Sequence, residues 1–420
     1  MKIVISIFAD NKKVVRAKET IKEVYLADKR PWVVGFSGGK DSSVVVQLTL
    51  QALSELEPEQ RRKPVYVISS DTLVETPLII QQIDTALNRI QTEADRVGLP
   101  VKVQKVRPAL QDTFWVSLIG KGYPTPRQKF RWCTDRMKIK PANRFILDKV
   151  SEHGEVVMVL GVRVDESKSR AESIRSHQIE GSHLMKHSTL PNAYTFAPIK
   201  DWSTDDVWEF LLDNAEWEED NRKLLQLYQD SDGECPLVID ADSKKVSCGN
   251  SRFGCWTCTV VNEDKALSGF INNGVEWLKP LLEFRNHLVE IREDRRKRQK
   301  QRKDGRRYLT TNLEGIDQTK AVRISDSELD EWLERNRIDL RTVEDLHLIV
   351  EVPVEGELFP VEKTLGLGPF TLKTRQELLN QLLATQERIC NQYGVEVELI
   401  SGEEIEEIRR IWQKEKSPSA

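Results

Sequence analysis

The hexapeptide Ser37-Gly38-Gly39-Lys40-Asp41-Ser42 interrupts an apolar run, Trp32 to Phe36, that resumes as Val44 to Leu48. Such a pattern reads as strand, anion-holding loop and helix. Two glycines let backbone N–H groups turn inward on an anion with no Cβ in the way, and the helix that follows adds its positive N-terminal end. Ser37, Lys40 and Ser42 add side-chain donors. The spacing excludes a Walker A loop, and the G-x-G-x-x-G of dinucleotide folds is missing. A second chemistry belongs to the cysteines, of which the chain has six. Cys255-Trp256-Thr257-Cys258 is a C-x-x-C preceded by Cys248, Cys235 lies upstream, and Cys133 stands apart in Arg131-Trp132-Cys133-Thr134-Asp135-Arg136. Four thiolates would satisfy zinc; the same soft donors suit an iron–sulfur cluster.

The elements that must position these residues alternate. Val65 to Ser69 reads as a second buried strand ending at Ser70-Asp71-Thr72, Glu75 to Val97 as a helix, and Val101 to Val106 as a third strand. Lys138 to Val150 reads as a helix, Val156 to Leu160 and Tyr194 to Ile199 as further strands, and Ser203 as the cap of another helix. This alternation predicts an α/β fold, Rossmann-like, with a mostly parallel sheet covered by helices on both faces. Ligands of such folds sit at the carboxyl ends of the strands, where the Ser37 loop, Asp71 and Gly161-Val162-Arg163 all fall. Asp71 is placed to accept from a ribose or amino group, and Arg163 and Arg170 to grip phosphate.

At 420 residues the chain has room for two or three domains. No apolar stretch approaches a membrane span and the N-terminus lacks a cleavage pattern, so a cytoplasmic protein with no membrane partner is expected; a reducing compartment agrees with cysteines kept as thiols. The net charge of -4 hides an asymmetry. Between Arg285 and Arg307 eleven cations face four carboxylates, a surplus of seven, which leaves the remainder at -11. Such runs are most often solvated helix faces; the alternative is a surface for a nucleic-acid backbone.

The Ser37–Ser42 loop resembles the SGGxDS signature of the PP-loop ATP pyrophosphatases, which split ATP between its α and β phosphates (an adenine nucleotide alpha hydrolase-like fold). Three further elements are similar to the adenylyl- and phosphoadenylyl-sulfate reductase branch: Ser70 to Thr76, the G-x-R-x-x-E-S element at Gly161 to Ser167, and Pro198-Ile199-Lys200-Asp201-Trp202 with Asp206-Val207-Trp208. Those reductases place a cysteine pair before an Arg/Lys segment, together with a distant C-x-x-C, around a 4Fe-4S cluster. Cys133 matches the first of that pair and Thr134 stands where the second would be. The resemblance therefore implies Cys133, Cys255 and Cys258 plus Cys248 or Cys235 as ligands, with Cys248 favoured and Cys235 left as a sulfur carrier or redox thiol.

Gly249 to Val261 resembles most closely the DndC family of DNA phosphorothioation proteins. That resemblance implies ATP, magnesium and a 4Fe-4S cluster as cofactors. It implies DNA as substrate, bound by the basic segment 285–307, and a cysteine desulfurase and other DNA sulfur-modification proteins as partners. Ser37, Gly38, Gly39, Lys40, Asp41, Ser42, Asp71 and Arg163 would bind the nucleotide, with Lys40, Asp41, Arg163 and Cys235 carrying the chemistry. The linear organisation expected is a PP-loop domain at 1–215, a cysteine-rich segment at 216–270, a basic helical segment at 271–310 and an accessory helical or α+β region at 311–420. Two rival readings share the loop. A sulfonucleotide reductase would carry a Glu-Cys-Gly-x-His tail, and no cysteine follows Cys390; a tRNA thiolase would carry paired C-x-x-C motifs, and one occurs here. A non-catalytic nucleic-acid scaffold would turn over no nucleotide.

Overall fold

The computed structural model describes residues 12–128, 130–166, 168–232, 254–305, 307, 309–312, 331, 334–335, 337, 347–354 and 357–416. They form two compact units. The first comprises residues up to Phe114, Pro126–Arg285 and Gln386–Leu399; the second comprises Trp115–Thr125, Asn286–Thr385 and the residues from Ile400. This division departs from the linear one expected, because the chain leaves and re-enters each unit.

In the first unit, helix α1 (Lys12–Leu26) precedes β1 (Trp32–Gly35), α2 (Lys40–Ser54), β2 (Val65–Ser70), α3 (Pro77–Val97), β3 (Val101–Val106), α4 (Lys140–His153) and β4 (Val156–Val159). Then come α5 (Lys168–His177), β5 (Leu184–Lys186), β6 (Ala193–Phe196), α6 (Thr204–Asp213), α7 (Glu218–Asp232) and α8 (Lys265–Asn272), and α9 (Lys279–Glu290) begins in this unit and ends in the second. The six strands form one sheet in the order β3-β2-β1-β4-β6-β5, parallel throughout except for β5. The expected mostly parallel α/β sheet is thus observed. Its central strand β1 is apolar because both faces are covered, with Trp32, Val33 and Val34 fully buried, while the edge strand β3 exposes Lys102 and Gln104. Beneath α4, Val33, Ile68, Val106, Phe145, Ile146 and Val156 make one core cluster. Helix α3 begins at Pro77, which needs no amide partner there, and ends on Gly98 at φ 69°. Ser203 caps α6 as expected, its hydroxyl accepting from the Asp206 amide while the Asp206 carboxylate accepts in return from the Ser203 amide. The sequence pattern missed β5, whose three residues are too few to show a period.

Because β1 and β4 are neighbours while β2 and β3 extend the other way, the strand order reverses between them. The loops after β1 and β4 meet at this switch point, where ligands of open α/β sheets bind.

In the second unit, β7 (Leu309–Asn312), β8 (His347–Val354) and β9 (Glu357–Leu365) form an antiparallel sheet in the order β7-β9-β8. Helix α10 (Leu372–Tyr393) carries the chain back into the first unit, and α11 (Gly402–Lys416) returns it. Within the unit, Trp412 Nε1 donates to the Ile119 carbonyl at 3.0 Å, and the buried Arg375 donates to the Gly120 carbonyl at 2.6 Å and pairs with Glu415. The expected extended stretch near 346–354 and the helix near 371–393 are both present; the helix expected from Ser325 to Arg337 falls largely outside the described residues.

The basic segment is not one helix. Helix α9 stops at Glu290 and is followed by short turns at Ile291–Glu293 and Arg295–Lys297. Arg298 is buried and donates to the carbonyls of Gly368, Arg292 and Leu367, while Arg295 donates to the Leu365 carbonyl. Both guanidiniums are therefore structural. Arg296 is 91% exposed, and Arg302 and Lys303 are exposed too, while Lys300 is half-buried.

Candidate active site

The loop after β1 is shaped by its glycines. Gly38 sits at φ 73°, a left-handed conformation, and a Cβ there would lie 2.6 Å from Ile83. Ser42 ties the loop shut: its hydroxyl accepts from the Ser37 amide at 3.2 Å, donates to the Gly39 carbonyl at 2.9 Å and lies 3.1 Å from the Ser37 hydroxyl. Gly39 stands at the N-cap of α2 without a side-chain cap. The first-turn amides of α2 thus face the loop, as an anion would require.

Asp41 and Arg163 form an ion pair across the switch point, with Arg163 Nε 2.6 Å from Asp41 Oδ1. Lys40 Nζ approaches the other carboxylate oxygen at 3.1 Å. Arg163 is 3% exposed and also donates to the Trp202 carbonyl and the Thr204 hydroxyl. Three of its donors are thus committed within the protein, and it fixes Asp41 and the start of α2. Gly161 permits the approach: a Cβ there would meet the Asp41 and Ser42 backbone at 2.8–3.0 Å. The side chain of Arg170 lies outside the described residues.

Asp71 stands at the end of β2, where the sequence put it. Its carboxylate accepts from the Leu73 amide at 3.1 Å and from Arg107 Nε at 2.9 Å. This turn holds Leu73 at φ 65° and leads to Glu75, which is buried and accepts from the Thr72 amide.

Three cysteines gather beside the same strand end. Cys255 forms an antiparallel bridge with Glu75, the Trp256 amide donates to the Val74 carbonyl, and Thr72 Oγ1 lies 3.3 Å from Cys255 Sγ. Cys133 precedes a π-helical turn, Thr134–Ile139, that brings Lys138 to the thiols. Burial pushes the Cys255 thiol up to about 12 despite the Lys138 ammonium. Burial also raises Cys133, with the nearby Cys258 adding to the effect and Thr134 opposing it. Lys138 is in turn held above its ordinary value, chiefly by Cys255. Burial raises Glu75 as well. Buried thiols that hold their protons yield them to a soft metal, so the donor set fits a zinc ion or a 4Fe-4S cluster in kind. Among the described residues no group of three or more His, Cys, Asp or Glu side chains closes around a metal ion, and the fourth donor proposed from the sequence, Cys248 or Cys235, lies outside them.

Sequence reasoning missed two residues. Arg285, assigned to the basic stripe, is 0% exposed and donates to the carbonyls of Cys258, Val261 and Asn262, so it holds the loop that leaves the C-x-x-C motif. Its only signal was its place at the edge of the charge run. The other is Tyr228 on α7, whose hydroxyl accepts from the Lys40 amide at 3.3 Å.

A mostly parallel sheet with a glycine-shaped loop at its switch point and cysteines beside the next strand end defines an α/β domain of the Rossmann-like class. The phosphoadenosine phosphosulfate reductase domain family matches residues 31–261, and the chain belongs to that family. It is 30% identical over 192 residues to an uncharacterized protein of Methanocaldococcus jannaschii, covering 46% of this chain and 33% of the relative. A second uncharacterized protein of that organism is 25% identical over 244 residues, covering 56% and 50%. The chain thus spans a third to a half of the length of these relatives. Among solved structures, it is similar to phosphoadenylyl-sulfate reductase from Candida auris in a phosphate complex, at 15% identity and TM-score 0.32, covering 49% of this chain and 83% of that one. It is also similar to the U34-tRNA thiolase NcsA from Methanococcus maripaludis with its [4Fe-4S] cluster, at 14% identity and TM-score 0.32, covering 67% and 81%.

Proposed function

We propose that the protein splits ATP into AMP and pyrophosphate and uses the adenylylated intermediate to insert sulfur into the DNA backbone. The observation that carries this reading is the adjacency, within one unit, of a phosphate-shaped loop after β1 and a cysteine centre after β2. The first-turn amides of α2 and the Lys40 ammonium would hold the leaving pyrophosphate. Asp41, fixed by Arg163, would orient Lys40 while charge develops. A phosphate oxygen of DNA would attack the α-phosphorus, expelling pyrophosphate. The outer sulfur of a persulfide, loaded by a cysteine desulfurase, would then displace AMP. A second thiol, Cys235 in this reading, would cleave the resulting S–S bond, leaving a disulfide for a cellular thiol reductant to reopen.

Cys133, Cys255, Cys258 and Cys248 or Cys235 would hold a 4Fe-4S cluster, which supplies iron able to bind sulfur or pass an electron. Magnesium would travel with the nucleotide phosphates and neutralise the departing pyrophosphate. The exposed cations Arg296, Arg302 and Lys303 are the DNA-contacting candidates. Pyrophosphate release from ATP by anaerobically purified protein, stimulated by duplex DNA, is the expected result; no release with or without DNA overturns the reading. Family membership favours one alternative, two-electron reduction of a phosphoadenylyl or adenylyl sulfate by a dithiol, which would be oxidised to a disulfide; the products would be sulfite with adenosine 3',5'-bisphosphate or AMP, and no pyrophosphate.

A further inference from the structure

The hydroxyl of Tyr228 stands where a ligand oxygen belongs. Helix α2 starts at Lys40 with no side-chain cap, so its first amides need acceptors from elsewhere. The Lys40 amide finds one in Tyr228 Oη at 3.3 Å, across 188 residues of sequence. The same oxygen would lie 3.4 Å from a Cβ built on Gly39, so it rests on the loop's backbone. The Lys40 ammonium is 5.6 Å from the centre of the Tyr228 ring. The ring itself is 7% exposed and meets Trp208 edge to face at 5.1 Å and 88°.

Helix α7, which carries Tyr228, is held at its C-terminal end, within a turn of the tyrosine. A Cβ at Gly269 of α8 would lie 2.4–2.5 Å from the carbonyl oxygens of Ser231 and Asp230, so the two helices touch backbone to backbone. Asn273 adds a hydrogen bond to the Asp230 carbonyl at 2.9 Å. The hydroxyl is therefore placed over the loop by packing.

We propose that Tyr228 is a placeholder for a phosphate oxygen: it satisfies the Lys40 amide and gives way when nucleotide or pyrophosphate binds. The inference rests on the reading that this loop holds phosphate. One N–H serves one good acceptor, and a contact of 3.3 Å is long for a hydrogen bond. A charged phosphate oxygen accepts about twice as strongly as a neutral hydroxyl. The phenol thus keeps a buried amide satisfied without binding it tightly enough to exclude the ligand. Occupancy of the loop is thereby transmitted to α7.

The test is calorimetric titration of the full chain with inorganic pyrophosphate. Tyr228→Phe keeps the ring against Trp208 and removes only the competitor, so pyrophosphate should bind about 2- to 10-fold tighter, the worth of one net hydrogen bond. A purely structural role would predict the opposite sign. Equal or weaker binding by the variant, with normal binding by the wild type, overturns the placeholder alone. No binding by the wild type overturns the phosphate-loop reading together with it. Should the variant fail to fold, wild-type protein carrying 3-fluorotyrosine reads the same event. Pyrophosphate should shift one of its seven tyrosine resonances, and a spectrum that does not move overturns the proposal.

Discussion

Arg163 and Asp41 illustrate how two residues can be found by sequence while their pairing is not. The residue types and the loop spacing were legible, because glycines, a lysine and a strand-to-helix transition are local features. The pairing was not, since Asp41 and Arg163 are 122 positions apart. Asp41→Ala should abolish pyrophosphate release. It should also cost about 1–3 kcal/mol of stability, because a buried guanidinium loses its acceptor. Asp41→Asn, which keeps an oxygen for Arg163, should be just as inactive but melt closer to wild type. Melting curves beside a pyrophosphate assay check both. Arg285→Met should unfasten the loop after Cys258, lowering the melting temperature and the metal content together. In wild-type protein purified without oxygen, iron should exceed zinc; one zinc and no iron would refute the cluster.

Helices and strands whose apolar period spans a turn or more were readable, and β2, α3, β3 and α6 lie close to where periodicity put them. What defeated the reading was charge in a run. A string of Arg and Lys looks like a solvated stripe, yet Arg285, Arg295 and Arg298 bend into carbonyl-rich loops whose existence depends on distant segments. Reversing Arg296, Arg302 and Lys303 to Glu should therefore flatten the salt dependence of DNA binding. Adding Arg298→Glu should lower the melting temperature further, and equal salt slopes for wild type and the three-fold variant would assign these cations to solvent.

A second element-scale effect lies at the opposite end of the sheet from the site. Lys63 is buried between the rings of Tyr25 and Trp32, and burial lowers its pKa to about 8 although Asp28 pulls it up. A lysine whose folded pKa lies below its unfolded value costs stability under both, and the cost fades as pH rises between them. Lys63→Met should accordingly raise stability at pH 7, on the order of 2 kcal/mol. Asp28 would keep Arg30 as its partner. The gain should shrink across pH 8 to 10.5, and a gain independent of pH would contradict the burial argument.

At the scale of the molecule, the fold class was legible because alternating strands and helices leave few topologies. The division into units was not, because no composition shift marks where a chain re-enters a unit it has left. The chain passes between the units after Phe114, Thr125, Arg285, Thr385 and Leu399. Vectorial synthesis meets a constraint in this threading. The six-stranded sheet is complete once β6 has been made, but the unit that contains it still waits for Gln386–Leu399, and the other unit waits for Ile400 onward. Neither unit can finish folding as the earlier-made part of a nascent chain, as an N-terminal domain ordinarily does. The phosphate loop therefore emerges from the ribosome long before the last segments of either unit.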